Sequence, residues 1–253
     1  MSKEVSPLKT KSKLKKGMKP FLCALLFIGA LVCLTMGKTQ AYIMPAEQLA
    51  DLMIKNFSGF KTIVVTQATH FVTPEDLETQ MILEEKIWLK SDGFHHSELI
   101  NLPEDWEAMA TGLTSGRPST DMAFRRLFMA NDKRTIMALF SEMGINLDAI
   151  AFTRFDGVIV YRLGDKDAEA PKLLIEKENF RPLLLSYRLL KEPGLKSVTV
   201  RFDDYREVAG GWYPYKIEIF TGENLEECYF AMDLQVNTPI DSSIFRRHEK
   251  QNH

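Results

Sequence analysis

Six segments in the second half of the chain either alternate apolar and polar residues or run apolar, and turns separate them. Glycine-rich and charged turns such as residues 164–166 and 222–224 divide them, leaving no room for a helix between neighbours. Because parallel strands need a crossover of about a dozen residues, strands joined this closely pair antiparallel. The sequence predicts an antiparallel meander that curls into a sheet or partial barrel. The predicted strands cover residues 157–163, 171–177, 183–190, 197–206, 213–220 and 227–236.

The last of these segments has the cleanest alternation. Its pattern predicts Phe230, Met232, Leu234 and Val236 on one face of the strand, with the residues between them on the other.

A helix and a hairpin precede the meander. Pro45 stands in the first turn of the helix, which Ser58-Gly59 ends, and its apolar residues recur at a spacing of three to four. From Phe60 the period changes to two, which predicts a strand that ends at Thr73-Pro74. A second strand, residues 78–90, follows a short turn at residues 74–76. Residues 101–119 are rich in glycine and proline and are predicted to form a loop.

A long helical stretch begins at Ser119 or Thr120 and ends at Gly144. Asn131-Asp132 in its middle is typical of a helix cap, so the pattern predicts one broken helix or two. Methionine and phenylalanine are concentrated here. Such a stripe is either ordinary core or an adaptable apolar lining, because unbranched thioethers repack around ligands of varied shape. The side chains predicted to bind a lipophilic ligand are Phe124, Phe128, Met129, Ile136, Met137 and Phe140.

The N-terminus has the three parts of a secretory signal. A lysine-rich region precedes the apolar run from Phe21 to Met36, and the small residues Thr39 and Ala41 follow. We predict cleavage near Ala41, which leaves residues 42–253 as one exported, periplasmic domain. The alternative, an uncleaved anchor, needs about 20 apolar residues, and this run is shorter.

The composition excludes several classes of protein. Cys23 and Cys33 follow the large residues Leu22 and Val32, so processing to a lipid-anchored protein is not expected, and only Cys228 would remain in the mature chain. The predicted leader carries eight of the 32 Lys and Arg residues and one of the 34 acidic residues, which leaves a formal charge of −9. A chain this acidic is unsuited to nucleic acid, which demands a basic face.

No motif predicts catalysis. The chain lacks a Gly-x-Ser-x-Gly elbow and a Gly-Lys-Ser/Thr phosphate loop. His95 and His96 alternate across a strand, so with Glu98 and His70 they form a polar strand end more readily than a metal site. Cys228, in mid-strand, is predicted to be a packed and inert thiol. We expect no enzyme activity, no cofactor and no metal.

The order of these parts resembles the LolA/LolB-like superfamily of outer-membrane lipoprotein-sorting proteins. The resemblance extends over residues 42–253 and is carried by diffuse motifs. These are Glu85-Lys86-Ile87-Trp88-Leu89-Lys90, Arg154-Phe155-Asp156-Gly157, Asn179-Phe180-Arg181-Pro182, Phe202-Asp203-Asp204-Tyr205, Gly211-Trp212-Tyr213-Pro214 and Val236-Asn237-Thr238-Pro239-Ile240-Asp241, with Phe245.

The resemblance implies an α+β fold, a half-open antiparallel β-barrel whose concave face is covered by helices. It also implies a carrier of lipid or lipoprotein acyl chains, with an inner-membrane donor protein and an outer-membrane acceptor protein as partners. One departure is that Ser91 follows Lys90, where the LolA carrier has an arginine that latches its lid. Three other interpretations stay open: an envelope sensor that regulates a partner protein, an enzyme acting on lipids, and a structural domain with a dry core.

Overall fold

The structure is a computed structural model that describes residues 43–57, 59–72, 81–91, 95–101, 123–188 and 197–246, without the side chains of Met81 and Arg246. The predicted signal peptide, the turn at residues 74–76 and nearly all of the loop at residues 101–119 lie outside the described residues.

In the described part of the chain, ten antiparallel strands form a single curved sheet that does not close. Its strand order is β3-β2-β1-β10-β9-β8-β7-β6-β5-β4. Neighbouring strands are consecutive in the chain except for β1 and β10, and the consecutive strands β3 and β4 form the two edges of the sheet. The strands are β1 (Thr62–Phe71), β2 (Met81–Lys90), β3 (His95–Ile100), β4 (Ile150–Phe155), β5 (Val158–Gly164), β6 (Lys172–Glu176), β7 (Pro182–Tyr187), β8 (Val198–Val208), β9 (Gly211–Thr221) and β10 (Asn224–Val236). This architecture confirms the predicted α+β fold, a half-open barrel with helices over its concave face.

The described helices are short. They are α1 (Ala46–Ile54), α2 (Arg126–Met129), α3 (Lys133–Glu142) and α4 (Ser243–Arg246), and a 3-10 turn at residues 123–125 leads into α2. Pro45 is the N-cap of α1, one residue before the first turn in which the sequence pattern placed it. The predicted break between two helices is confirmed, because the Asp132 carboxylate accepts the backbone N–H of Thr135 at 2.9 Å and caps α3.

The predicted strands of the second half are confirmed as β5 to β10, with boundaries that differ by a few residues. The pattern did not predict β4. This strand has six residues at the end of the sheet and none of them is fully buried, so the sequence carries no strong alternation there.

A β-bulge in β10 makes the predicted face of that strand wrong. Thr66 lies opposite Asp233 and Gln67 lies opposite Ala231, so Met232 is an extra residue in β10. One extra residue reverses the alternation on one side of it. Leu234 therefore faces the core, whereas Phe230 is 37% exposed and Met232 is 51% exposed.

The hydrophobic core lies between the helices and the inward face of the sheet. Phe57, just after α1, packs edge-on against Phe128 of α2 with ring centroids 5.3 Å apart. The side-chain amide of Asn56 donates to the carbonyl oxygens of Asn179 and Phe180, which fastens α1 to the segment before β7. The segment around α1 thus packs against both α2 and the segment before β7 in one core.

Candidate functional site

The six side chains predicted to bind lipid lie in two different environments. Five belong to the core and are at most 5% exposed, whereas Met137 is half-buried beside a surface cleft. The five core residues are Phe124, Phe128, Met129, Ile136 and Phe140. The structure therefore brings five of the six together on the concave face of the sheet.

Aromatic rings of the cover helices fill this face. The Phe128 ring centroid lies 5.3 Å from that of Phe202 and 5.4 Å from that of Tyr213. The Phe124 ring stacks near Tyr229, with centroids 6.5 Å apart. A side chain without accessible surface does not border a space that water can enter, and Phe124 and Phe128 are both 0% exposed. Their role in lipid binding stays a prediction.

The surface cleft, about 690 Å³, lies between α1, α3 and the start of β4. Met137, Leu147 and Ile150 supply apolar lining, while Lys133 pairs across it with Glu47 and Asp51 at 3.6 and 3.5 Å. Exposed ion pairs of this kind add little stability. The mixed lining makes the cleft a poorer match for hydrocarbon than the concave face.

A buried polar cluster interrupts the apolar concave face. The Gln67 side-chain amide donates to a carboxylate oxygen of Glu85 at 3.0 Å, and the Thr69 hydroxyl donates to the same oxygen at 2.7 Å. All three residues are at most 2% exposed. They occupy the inward positions of β1 and β2, next to Ile63, Val65 and Leu83.

Arg125, in the turn before α2, reaches this cluster from the cover. Its Nη2 donates to Gln67 Oε1 at 3.1 Å, and its Nη1 donates to the Tyr213 hydroxyl at 3.4 Å. The guanidinium carbon lies 5.0 Å from the Phe124 ring centroid and 5.2 Å from that of Tyr229. Arg125 is 1% exposed, and its Nε has no hydrogen-bond partner among the residues that the structure describes.

The environment of this cluster is apolar enough to perturb a phenol. Burial raises the pKa of Tyr213, and the positive charge of Arg125 opposes this rise. The sequence motifs did not predict this cluster, although its signal is present in the strands. Gln67, Thr69 and Glu85 are polar residues at positions that the period-two pattern assigns to the core.

The other candidate groups lie apart from the concave face. Cys228 is a buried free thiol on β10, and burial, followed by the nearby Glu218 carboxylate, raises its pKa to about 11. His95 and His96 lie on β3 at one end of the sheet. The described residues contain no cluster of three or more His, Cys, Asp or Glu side chains that could bind a metal. None of the described helices combines the length and apolar character that crossing a membrane requires.

No protein-family model and no curated protein matches this sequence. Solved structures do. A domain assigned to outer-membrane lipoprotein sorting from Vibrio parahaemolyticus superposes with a TM-score of 0.51 at 12% identity, over 79% of this chain and 95% of that one. A LolA superfamily protein from Nitrosomonas europaea has a TM-score of 0.49 at 13% identity, over 80% of this chain and 97% of that one. A DUF1329 family protein from Desulfovibrio piger has a TM-score of 0.49 at 12% identity, over 80% of this chain and 98% of that one.

The likeness to the Vibrio domain establishes the fold and nothing further, because the sequences are so different. The chain has a LolA-like fold, as the sequence resemblance implied.

Proposed function

We propose that this chain is a soluble periplasmic carrier that shields lipid or lipoprotein acyl chains on their way to the outer membrane. The observation that carries the proposal is a curved, unclosed sheet whose concave face is covered by short helices rich in Phe and Met. The carrier has no catalytic role, and it exchanges its cargo with an inner-membrane donor protein and an outer-membrane acceptor protein.

Transfer of a hydrocarbon tail from water to the concave face is favourable, because the tail can take the place of the protein's own side chains there. Each buried CH₂ contributes about 0.8 kcal/mol, so a tail of about 15 methylenes gains roughly 12 kcal/mol on leaving water. Phe124, Phe128 and Phe140 occupy the concave face. The tail enters when the cover lifts from the sheet, and it replaces the contacts that these rings make.

The segment that lifts from the sheet is the cover, residues 123–143. Its two helices, α2 and α3, have only four and ten residues. Helices this short are marginal on their own and depend on tertiary packing, so the cover can repack around a ligand without breaking the sheet.

Native mass spectrometry of the chain purified from its own envelope tests the proposal. We expect mass increments of one or more lipids per chain, which disappear after organic extraction and return when the extract is added back. A mass that matches the bare polypeptide before extraction, with no uptake from added lipid, would contradict the carrier function and favour a structural domain with a dry core.

A paired substitution separates the concave face from the outer face. Met129→Glu places a carboxylate among the core side chains of the cover, and Met232→Glu places one on the exposed bulge of β10. We expect Met232→Glu to retain bound lipid and Met129→Glu to lose it. Near-ultraviolet circular dichroism of both variants checks that the tertiary packing survives. Equal lipid content in two folded variants would show that the lipid binds elsewhere.

A further inference from the structure

A guanidinium buried among aromatic rings is costly unless something pairs with its charge. Arg125 is 1% exposed, yet among the described residues it forms no ion pair with a carboxylate. Its hydrogen bonds go to the neutral Gln67 amide and the neutral Tyr213 hydroxyl, and its Nε has no partner. The protein therefore holds a positive charge with an unused hydrogen-bond donor inside the core.

The unused donor, Nε, lies on the edge of the guanidinium that forms bidentate hydrogen bonds with anions. The Nε and Nη2 groups donate two nearly parallel hydrogen bonds, which match the two oxygens of a carboxylate or phosphate. Arg206 of this chain uses that edge on a carboxylate: its Nε and Nη2 donate to the two oxygens of Asp204 at 3.3 and 2.6 Å. On Arg125, Nη2 of the same edge donates to a neutral acceptor, Gln67 Oε1, whereas Nε donates to no described residue.

We propose that Arg125 recognises the anionic group of an amphiphilic ligand, a carboxylate or a phosphate ester at the end of an acyl chain. This inference rests on the proposed carrier function and specifies its ligand. One oxygen of the anion replaces Gln67 Oε1 as the acceptor of the Nη2 hydrogen bond, and the other accepts a hydrogen bond from Nε. The acyl chain lies along the apolar side chains that surround Phe124 and Tyr229.

The surroundings of Arg125 select for an anion that carries a tail. The buried Glu85 carboxylate is linked to Arg125 through Gln67. A small free anion would therefore be repelled by Glu85, and its only favourable interaction would be the two hydrogen bonds from Arg125. A ligand with an acyl chain adds the free energy of burying its methylenes. The site is thus specific for charge and hydrocarbon together.

Calorimetric titration of the full purified chain, after lipid extraction, tests this assignment. Tetradecanoate and its methyl ester have the same chain and differ by one negative charge. We expect tetradecanoate to bind the wild-type protein at least tenfold more tightly than the methyl ester, and tetradecyl phosphate to behave like tetradecanoate. Acetate and inorganic phosphate should show no binding at millimolar concentration.

Two adjacent arginines provide a matched pair of variants. Arg125→Gln should reduce the preference for tetradecanoate to less than threefold. Arg126→Gln removes the same charge one residue along, from an exposed side chain that pairs with Glu142, and should leave the preference unchanged. Arg125→Lys keeps the positive charge but lacks the two parallel donors, and it should lose most of the preference for tetradecanoate over the methyl ester. It serves as the test variant if Arg125→Gln does not fold.

The outcomes separate this inference from the carrier function. Equal binding of tetradecanoate and its ester to the wild-type protein would overturn the role of Arg125 and leave the carrier function intact. An unchanged preference in folded Arg125→Gln or Arg125→Lys would do the same. Binding of inorganic phosphate as tight as that of tetradecyl phosphate would overturn the requirement for a tail. Failure of every amphiphile to bind would overturn both proposals.

Discussion

Arg125 and Arg126 are neighbours in sequence, and their side chains have opposite environments. Arg126 is exposed and forms a two-oxygen ion pair with Glu142 at 3.0 and 3.1 Å, whereas Arg125 is buried against the sheet. Successive residues in a helical turn point about 100° apart, which is enough to place one guanidinium outside and the next inside. The charge itself does not reveal which of the two is buried.

At the same scale, truncating a cover ring should destabilise the protein far more than truncating a ring on the outer face. Phe128 is 0% exposed and packs against three aromatic rings, whereas Phe230 is 37% exposed. We expect Phe128→Ala to lower the free energy of unfolding by about 3–5 kcal/mol and Phe230→Ala by about 1 kcal/mol or less. Urea denaturation followed by fluorescence measures both. Similar losses would show that Phe128 is not part of a close-packed core.

Cys228 should be almost unreactive in the folded protein. Burial raises its pKa to about 11, so about one thiol in a thousand is ionised at pH 8. We expect iodoacetamide at pH 8 to label the native chain far more slowly than the chain in concentrated urea, as mass spectrometry would detect. Rapid labelling of the native chain would mean that β10 opens or that the thiol is accessible.

At the scale of elements, the bulge in β10 determines which side chains the strand contributes to the core. Ala231 lies opposite Gln67 and Asp233 lies opposite Thr66, with Met232 between them and unpaired. A bulge bends its strand and increases the local twist, which suits a sheet that must curve around its helices. It lies beside Gln67, the residue that links Arg125 to Glu85.

Deleting the bulged residue should therefore be tolerated. Without Met232, every other residue of β10 keeps its partner on β1 and its face, so we expect the variant to fold and its Tm to fall by only a few degrees. Deleting Ala68 from β1, opposite Phe230, should prevent folding, because it moves the inward residues on one side of the gap to the outer face. Circular dichroism and thermal melting distinguish the two. Loss of folding in both deletions would mean that the bulge is itself essential.

At the scale of the whole molecule, contacts between segments that are far apart in the chain hold the open sheet around its core. The backbone N–H of Trp212 donates to Asn56 O at 2.9 Å, which joins the end of α1 to the start of β9. Gly211 makes this approach possible, because a Cβ there would lie 2.7 Å from the Phe60 ring and 2.8 Å from Asn56 O. The sheet therefore needs the N-terminal helix to complete its core.

Three side chains whose pKa values are raised in the folded state should make the protein sensitive to alkali. Burial raises the pKa values of Tyr205, Tyr213 and Cys228 in the folded state. The folded chain then keeps protons that the unfolded chain releases, from a pH of about 8.5 for the thiol and about 10 for the phenols. Their stabilisation is complete below these values and is lost as the pH rises through the folded-state pKa values.

Thermal melts between pH 7 and 11 measure this effect. We expect a Tm that is nearly constant up to about pH 8.5 and falls above it. Cys228→Ala should remove the part of the Tm decrease that begins at the lowest pH. Of the three side chains, only the thiol titrates in the unfolded chain between about pH 8.5 and 10. A Tm that stays constant to pH 10.5 would contradict the buried positions of these groups.

The amino-acid sequence by itself determined most of the strands, the antiparallel meander, the helix cap at Asp132 and the resemblance to the LolA-like fold. Each of these depends on local periodicity, turn chemistry or the order of elements along the chain. Only the tertiary structure decided the bulge at Met232, the exposure of Phe230 and the burial of Arg125 beside Gln67 and Glu85. The physical reason is that these features depend on which residues lie opposite one another across strands and between cover and sheet. Gln67 and Arg125 are 58 residues apart, and a local pattern does not encode such a pairing.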